Sequence, residues 1–231
     1  WIAVPIAMIA VPVVLTLRQP DLGTAMLFGV VGLSLMFLSG VSIFYFLAGA
    51  AGAVAAAPLI WNNLHDYQRR RIETFLNPDL APLGAGYHIA QSKIAIGSGG
   101  LSGKGFLLGT QSQLDFVPEK HTDFIVTILG EEWGFAGLAV LLGLFALLIA
   151  LIIVMAWRCQ NRFGRLVISG SAVTLFVYVL INVAMVTGLV PVVGVPLPLV
   201  SHGGTSMMTL MIGLGLAMSA HVHGGEGIRR K

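Results

Sequence analysis

The sequence predicts an all-α, polytopic transmembrane helix bundle, and three observations carry that expectation. Charged residues make up 10% of the 231 residues, against about 25% in an ordinary soluble domain. Hydrophobic residues make up 56%, and the mean hydropathy is +0.89. Six apolar stretches with almost no internal charge lie in or near the ~17–25 residues that a helix needs to cross the hydrocarbon core. A water-soluble globular enzyme and a disordered chain are thereby excluded. So is a nucleic-acid partner, despite a pI near 9.3, because 13 basic side chains scattered among apolar runs make no continuous patch. Cys159 is the single cysteine, which excludes an internal disulfide framework and any multi-cysteine metal site.

Taken in order, the apolar runs are 1–17, 22–38, 43–61, 133–157, 166–187 and 205–221. Backbone groups find no water in lipid, so helices are the form expected for each; the alternation of a membrane β-barrel strand is absent. The first run opens on Trp1 with no Met and no charged leader region, so it does not read as a signal peptide. The expectation is a single membrane domain over 1–231 that is a fragment of a larger bundle, lacking its N-terminal part. Trp61, Trp133 and Trp157 stand at run ends, where interfacial aromatics belong.

Charge sets the orientation. Arg158, Arg162 and Arg165 fill the short loop between the fourth and fifth runs, and Arg229, Arg230 and Lys231 follow the sixth. The positive-inside rule makes that side cytoplasmic. Segments 18–21, 62–123 and 189–204 then face outward. The stretch 62–123 is expected as a long extracytoplasmic loop; its own six basic residues count little, because long loops report topology poorly. Loops beyond about 12–15 residues are usually functional, and eight of the ten acids lie between Asp66 and Glu132. The polar chemistry is thus gathered on one side.

Several constellations in these outer segments could carry chemistry. Asp123 precedes the fourth run, with Glu119 four residues back and His121 between them. Two carboxylates that close repel each other and separate their titrations, leaving one as a base. The plainer reading is that Asp123 only caps a helix N-terminus. Arg18 and Asp21 flank Pro20 between the first two runs; they either pair as a surface clamp or line a polar cavity opposite Asp123. The Gly-rich stretch 86–100 lacks the Gly-Lys-Ser/Thr ending of a P-loop. It is either a flexible re-entrant or interfacial segment or a close approach to a phosphate, with Lys93 and Lys104 as point charges. The run 191–204 is apolar but broken by Pro191, Pro196 and Pro198, so it must be buried in protein or line a cavity; Ser201 and His202 would face that cavity. Of six histidines only His221 and His223 are closely spaced, and they read as tail residues rather than metal ligands. Glu131 and Glu132 follow about 12–13 Å along the helix from Asp123, with structural hydrogen bonding as the main reading.

At these residues the chain resembles the SEDS family of cell-wall polymerases (shape, elongation, division and sporulation). The resemblance rests on Gln19-Pro-Asp-Leu-Gly-Thr24, Asp66-Tyr-Gln-Arg69, the stretch 82–100, Gly109-Thr-Gln-Ser-Gln113, Pro118-Glu119, His121-Thr-Asp-Phe124, Glu131-Glu132 and the run 191–204. These cover nearly the whole chain in order. The Val-Gly-Val-Pro-Leu-Pro run favours the RodA branch over the FtsW branch. About ten spans make up such a protein, so this chain would hold the last six.

The resemblance implies a peptidoglycan glycosyltransferase of the bacterial cytoplasmic (inner) membrane, serving cell elongation and shape. It would polymerise lipid II at the outer face with loss of undecaprenyl pyrophosphate. The family's essential acid falls on Asp123, as general base on the acceptor sugar hydroxyl. The leaving pyrophosphate needs positive charge, from Lys or Arg or from a divalent cation such as Mg or Mn. Asp21 and Glu119 are the next choices for shaping the cavity or holding such an ion, and the implied substrate-binding set is Arg18, Asp21, Lys93, Lys104, Glu119, His121 and Ser201. Expected partners are a class B penicillin-binding protein transpeptidase, membrane lipids and the elongation machinery. The chain departs from the family where Ser201-His202-Gly203-Gly204 replaces Ser-Tyr-Gly-Gly, so a contact specific to tyrosine does not carry over to position 202. Two other functions suit a polytopic bundle with a polar cavity: a lipid II flippase, and a non-catalytic cell-wall scaffold. A carrier wants ionisable sites near the midplane, open alternately to both sides; acids clustered on one face favour chemistry there.

Overall fold

The computed structural model describes residues 2–19, 21–64, 66–77, 85–113 and 122–224. All regular structure among them is helical: α1 Ala3–Arg18, α2 Leu22–Leu38, α3 Ile43–Asn63, α4 Asp66–Leu76, α5 Ala85–Gly99, α6 Thr110–Gln113, α7 Ile125–Arg158, α8 Arg162–Val186 and α9 Gly204–Val222. Three helices, α7, α8 and α9, are long and apolar enough to cross a membrane. Three shorter apolar helices occupy Ala3–Arg18, Leu22–Leu38 and Ile43–Leu59. The six apolar runs therefore all become helices. The chain divides into two compact units, Trp1–Tyr87 and His88–Lys231.

In the first unit α1 packs on α2, and Gly32 makes the approach possible: a Cβ there would come within 2.6–2.9 Å of three Ile9 side-chain carbons. Asp21 is the N-cap of α2. One carboxylate oxygen accepts from the Thr24 N–H at 3.0 Å and the other from the Thr24 hydroxyl at 2.6 Å. The last carbonyls of α3 are capped from the next helix. The Arg69 guanidinium donates to the Trp61 and Asn62 carbonyls at 2.8–3.0 Å, which satisfies acceptors that a helix C-terminus leaves open.

In the second unit α7, α8 and α9 pack against one another around Ile168, Leu175, Met185, Val186 and Leu197. Helix α7 is apolar on both sides. Phe145, Ile152 and Ala156 face the core, while Val140, Leu144, Leu147 and Leu151 are exposed, as befits a helix whose outer solvent is lipid.

The stretch 62–123, expected as a loop, holds three helices among its described residues: α4, α5 and α6. Residues 86–99 of the segment 86–100 are thus helical rather than irregular. Its buried side, Ile89, Ser92, Ala95 and Gly99, recurs at the three-to-four-residue spacing of one helix face. Packing overrides the poor intrinsic propensity of its glycines.

Helix α7 begins eight residues earlier than its apolar run and is broken at Gly134, whose φ of 64° and ψ of −161° suit only glycine. The break frees two carbonyls and two N–H groups that an unbroken helix would pair with each other. The loop after α5 takes up all four. Lys104 and Gly105 donate their N–H groups to the Glu131 and Glu132 carbonyls, both at 3.0 Å, while Phe135 and Ala136 donate to the Gly100 and Leu101 carbonyls at 2.9 and 3.0 Å. These four groups keep hydrogen-bond partners, as a broken helix in a membrane protein requires.

Candidate functional site

Asp123 lies in the turn that leads into α7. The N-cap of that helix is Phe124, with no side-chain cap, so Asp123 is not the capping residue. Its carboxylate is half-buried and rests over Gly194: a Cβ on that glycine would lie 3.4 Å from Asp123 Oδ2.

The turn is tied to the 191–204 run at two places. Asn182, fully buried one turn before the end of α8, donates one Nδ2 proton to the Asp123 carbonyl at 2.9 Å and one to the Val195 carbonyl at 2.6 Å. Ser201 donates its hydroxyl to the Thr122 carbonyl and accepts the Leu197 N–H at 2.8 Å. Beneath the turn, Ser92 of α5 donates to the Val186 carbonyl at 2.8 Å and shares a 2.6 Å hydrogen bond with Thr127. The Ser92 proton is committed to a carbonyl, so Thr127 is the donor of that pair. The His88 ring lies 6.5 Å from the buried Phe124 ring. Helix α5 thereby meets both the start of α7 and the end of α8.

Lys93 crosses the same end of α8. A Cβ on Gly188 would lie 2.5 Å from Lys93 Cε, 2.7 Å from its Nζ and 2.9 Å from Ile89 Cγ2. The ammonium therefore lies against bare backbone. Lys93 is exposed and makes no hydrogen bond or ion pair among the described residues. Lys104 is placed differently: its ammonium is 2.8 Å from the fully buried Glu131 carboxylate and 2.8 Å from the Thr110 hydroxyl. The same Glu131 oxygen accepts from Thr110 Oγ1 at 3.2 Å and from the Gln111 N–H at 2.9 Å.

The expected site residues thus separate. The Asp123 backbone is tied to Asn182 near the C-terminal end of α8, Lys93 lies against Gly188 just beyond that end, and Ser201 bonds the Thr122 carbonyl beside Asp123. Lys104 is used inside the protein, because Glu131 needs a counter-charge where no water reaches it, so it leaves the pyrophosphate-binding set. The hydroxyl of Ser201 is engaged on both sides by backbone. Arg18 and Asp21 form no clamp: the Asp21 carboxylate turns instead to the open N–H of α2. They belong to the first unit and Asp123 to the second. Glu119 and His121 lie outside the described residues. His202 is exposed. No group of three or more His, Cys, Asp or Glu side chains suited to a metal occurs among the described residues, so no residue set here is assigned to Mg or Mn.

Sequence reasoning missed Asn182, the Ser92–Thr127 pair and the two glycines at positive φ, Gly188 and Gly194, both at +72°. For Asn182 a signal was present, since it is the lone amide inside an apolar run, and polar residues there are functional by default.

The family model described as FtsW/RodA/SpoVE, cell cycle protein, matches residues 1–225. The chain belongs to this family. It is 53% identical over 223 residues to the peptidoglycan glycosyltransferase MrdB of Escherichia coli K12, a match covering 95% of this chain and 60% of that protein. Among solved structures, a chain of a peptidoglycan synthase complex that coordinates polymerization and crosslinking superposes with a TM-score of 0.82 at 33% identity, covering 97% of this chain and 62% of that one. A mutant of the rod shape-determining protein RodA of Thermus thermophilus superposes with a TM-score of 0.64 at 29% identity, covering 96% and 57%. The family is one of multi-pass membrane proteins, in agreement with the helices above. The chain spans about 60% of the length of the curated relative it matches at 53% identity.

Proposed function

We propose that this chain is the catalytic part of a SEDS peptidoglycan glycosyltransferase of the bacterial inner membrane, polymerising lipid II at the extracytoplasmic face. The observation that carries the reading is the Asp123 carboxylate, half-buried over Gly194 on a backbone clamped from α8 and from the 191–204 run. The orientation follows from Arg158, Arg162 and Arg165 at the α7–α8 connection, which put the opposite end of both helices, and hence Asp123, outside.

In this reading Asp123 takes the proton of the acceptor sugar hydroxyl. That oxygen forms the new bond to the anomeric carbon of the donor as the bond from that carbon to the pyrophosphate oxygen breaks. Undecaprenyl pyrophosphate departs, and the Lys93 ammonium, exposed and uncommitted among the described residues, offsets its charge. A cation at the pyrophosphate would supply further charge neutralisation; no step here is routed through one. The partner is a class B penicillin-binding protein transpeptidase, and the likeness to a synthase complex that couples polymerization to crosslinking supports that choice. The flippase reading is less well supported: Glu131, the more deeply buried of the two adjacent acids Glu131 and Glu132, is neutralised by Lys104 in one short loop, whereas a carrier needs such groups exposed to both sides in turn.

The test is lipid II polymerisation by the full-length protein purified with its transpeptidase, comparing wild type with Asp123→Ala and Asp123→Asn at equal expression and partner binding. Loss of glycan strands in both variants, with the complex intact, is the expected result. Near-normal strands in both would move the function to transport or scaffolding.

A further inference from the structure

We infer that Asn182 is the positioning residue of the transferase: its side-chain amide sets where the Asp123 carboxylate stands, with Ser201 as a second tie. The inference rests on the assignment of Asp123 as the base.

The two protons of one Nδ2 go to two carbonyls 72 positions apart in sequence, Asp123 and Val195. The first belongs to the residue that carries the carboxylate. The second belongs to the neighbour of Gly194, over which that carboxylate rests. A single amide therefore fixes the distance between the base and its floor. Both neighbours are acceptors, so the amide has one sensible orientation, with nitrogen towards the turn. Asn182 is fully buried on a rigid helix of 25 residues, so its own position does not drift.

Ser201 repeats the arrangement a few residues on. It bridges the Thr122 carbonyl and the Leu197 N–H, again joining the Asp123 turn to the 191–204 run. Around the ties the run carries a positive-φ glycine at 194 and a positive-φ leucine at 199, with φ of +72° and +64°. A segment of that kind has little helical or sheet pairing of its own and takes its shape from such ties.

The amide nitrogen of Asn182 is fully engaged with backbone, so it touches no substrate and acts only through Asp123. Its loss should therefore lower turnover and leave substrate affinity nearly unchanged. A displacement of the base by about 1 Å is enough for a loss on the order of 100-fold.

The experiment uses the full-length protein with its transpeptidase and measures kcat and KM for lipid II. Asn182→Asp keeps the shape of the side chain and removes the paired N–H donors; Asn182→Ala removes the side chain; Ser201→Ala removes the second tie. Leu175→Ala, a core substitution on the same helix away from the turn, is the control for general loosening. Expected is a fall in kcat of ~10- to 100-fold for both Asn182 variants, with KM within about twofold, a smaller fall for Ser201→Ala, and no comparable change in kcat for Leu175→Ala at matched loss of thermal stability. Wild-type kcat in Asn182→Asp, or an equal fall in Leu175→Ala, overturns the inference. Should Asn182→Ala not accumulate in the membrane, Asn182→Asp and Ser201→Ala decide by the same criteria. The Asp123→Asn protein in the same series separates the two failures: if it polymerises normally the base assignment is lost, and if it is inactive while both Asn182 variants are normal, only the positioning role is lost.

Discussion

Removing Lys104 should destabilise the protein more than removing the charge of its partner, and the structure gives the reason for the asymmetry. Glu131 is 0% exposed whereas the Lys104 side chain is 26% exposed. Lys104→Met takes the 2.8 Å ammonium from a buried carboxylate that keeps the Thr110 Oγ1 and Gln111 N–H donors. Breaking a buried pair in that way costs about 3–5 kcal/mol. Glu131→Gln keeps an oxygen for Thr110 and Gln111, and the freed ammonium can turn to water, so the loss is about 1–2 kcal/mol. The double variant has no isolated charge and should recover at least ~2 kcal/mol relative to Lys104→Met. The assay is thermal unfolding of the purified full-length protein in one detergent at one scan rate, because membrane proteins often unfold irreversibly and only the ranking is then meaningful. A domain of 150–250 residues shifts by about 2–4 °C per kcal/mol, so Lys104→Met should fall on the order of 10 °C and the double variant should regain several degrees. If Lys104→Met melts no lower than Glu131→Gln, or the double variant melts lowest, the ion pair does not hold the loop to the α7 break.

Lys93→Ala should melt within about 0.5 kcal/mol of wild type, since an exposed side chain without partners among the described residues contributes little, yet it should slow lipid II polymerisation by ~10-fold or more if its ammonium offsets the pyrophosphate charge; an unchanged rate would remove Lys93 from the site. Asp21→Ala should cost ~0.5–2 kcal/mol by uncapping α2, while Asp21→Asn keeps the cap and should retain both melting temperature and polymerisation; inactivity of the asparagine variant at normal stability would show that the charge of Asp21 is needed beyond the cap.

Much of the architecture was legible in the sequence because lipid enforces it. Each of the six apolar runs is a helix, and Trp157 at the end of α7 is 80% exposed, as an interfacial anchor should be. The helix α5 was not legible by composition, since glycines at 86, 97 and 99 argue against a helix. Its signal was instead the spacing of Ile89, Ser92, Ala95 and Gly99, the residues that become buried. The break in α7 was invisible for another reason. Gly134 is one glycine among 29, and only the partner loop at 100–105 makes a non-helical conformation satisfiable there. The motif singled out Asp123 but said nothing of its environment: the contacts that fix its turn run from α8 and from the 191–204 run, 59 to 79 positions away, and no local pattern encodes them. The same holds for Lys104. Its charge suggested a phosphate site until the buried Glu131 supplied a nearer partner.

The way the site is held follows from the solvent. Helices in lipid gain little from bringing apolar faces together, because the tails are as apolar as leucine. Precision at Asp123 must therefore come from hydrogen bonds that have no water to compete with them. The second unit meets that need with few polar side chains: Asn182, Ser201, Ser92 and Thr127 are all buried, and each bonds across helices or to the proline-broken run. On the function proposed above, the chemistry then needs one carboxylate at a set height above Gly194 and one ammonium against Gly188. The cost of the arrangement is that each tie removed leaves a buried carbonyl or N–H without a partner. The protein should accordingly be tolerant of apolar substitutions on its lipid-facing surface and intolerant at these four buried positions.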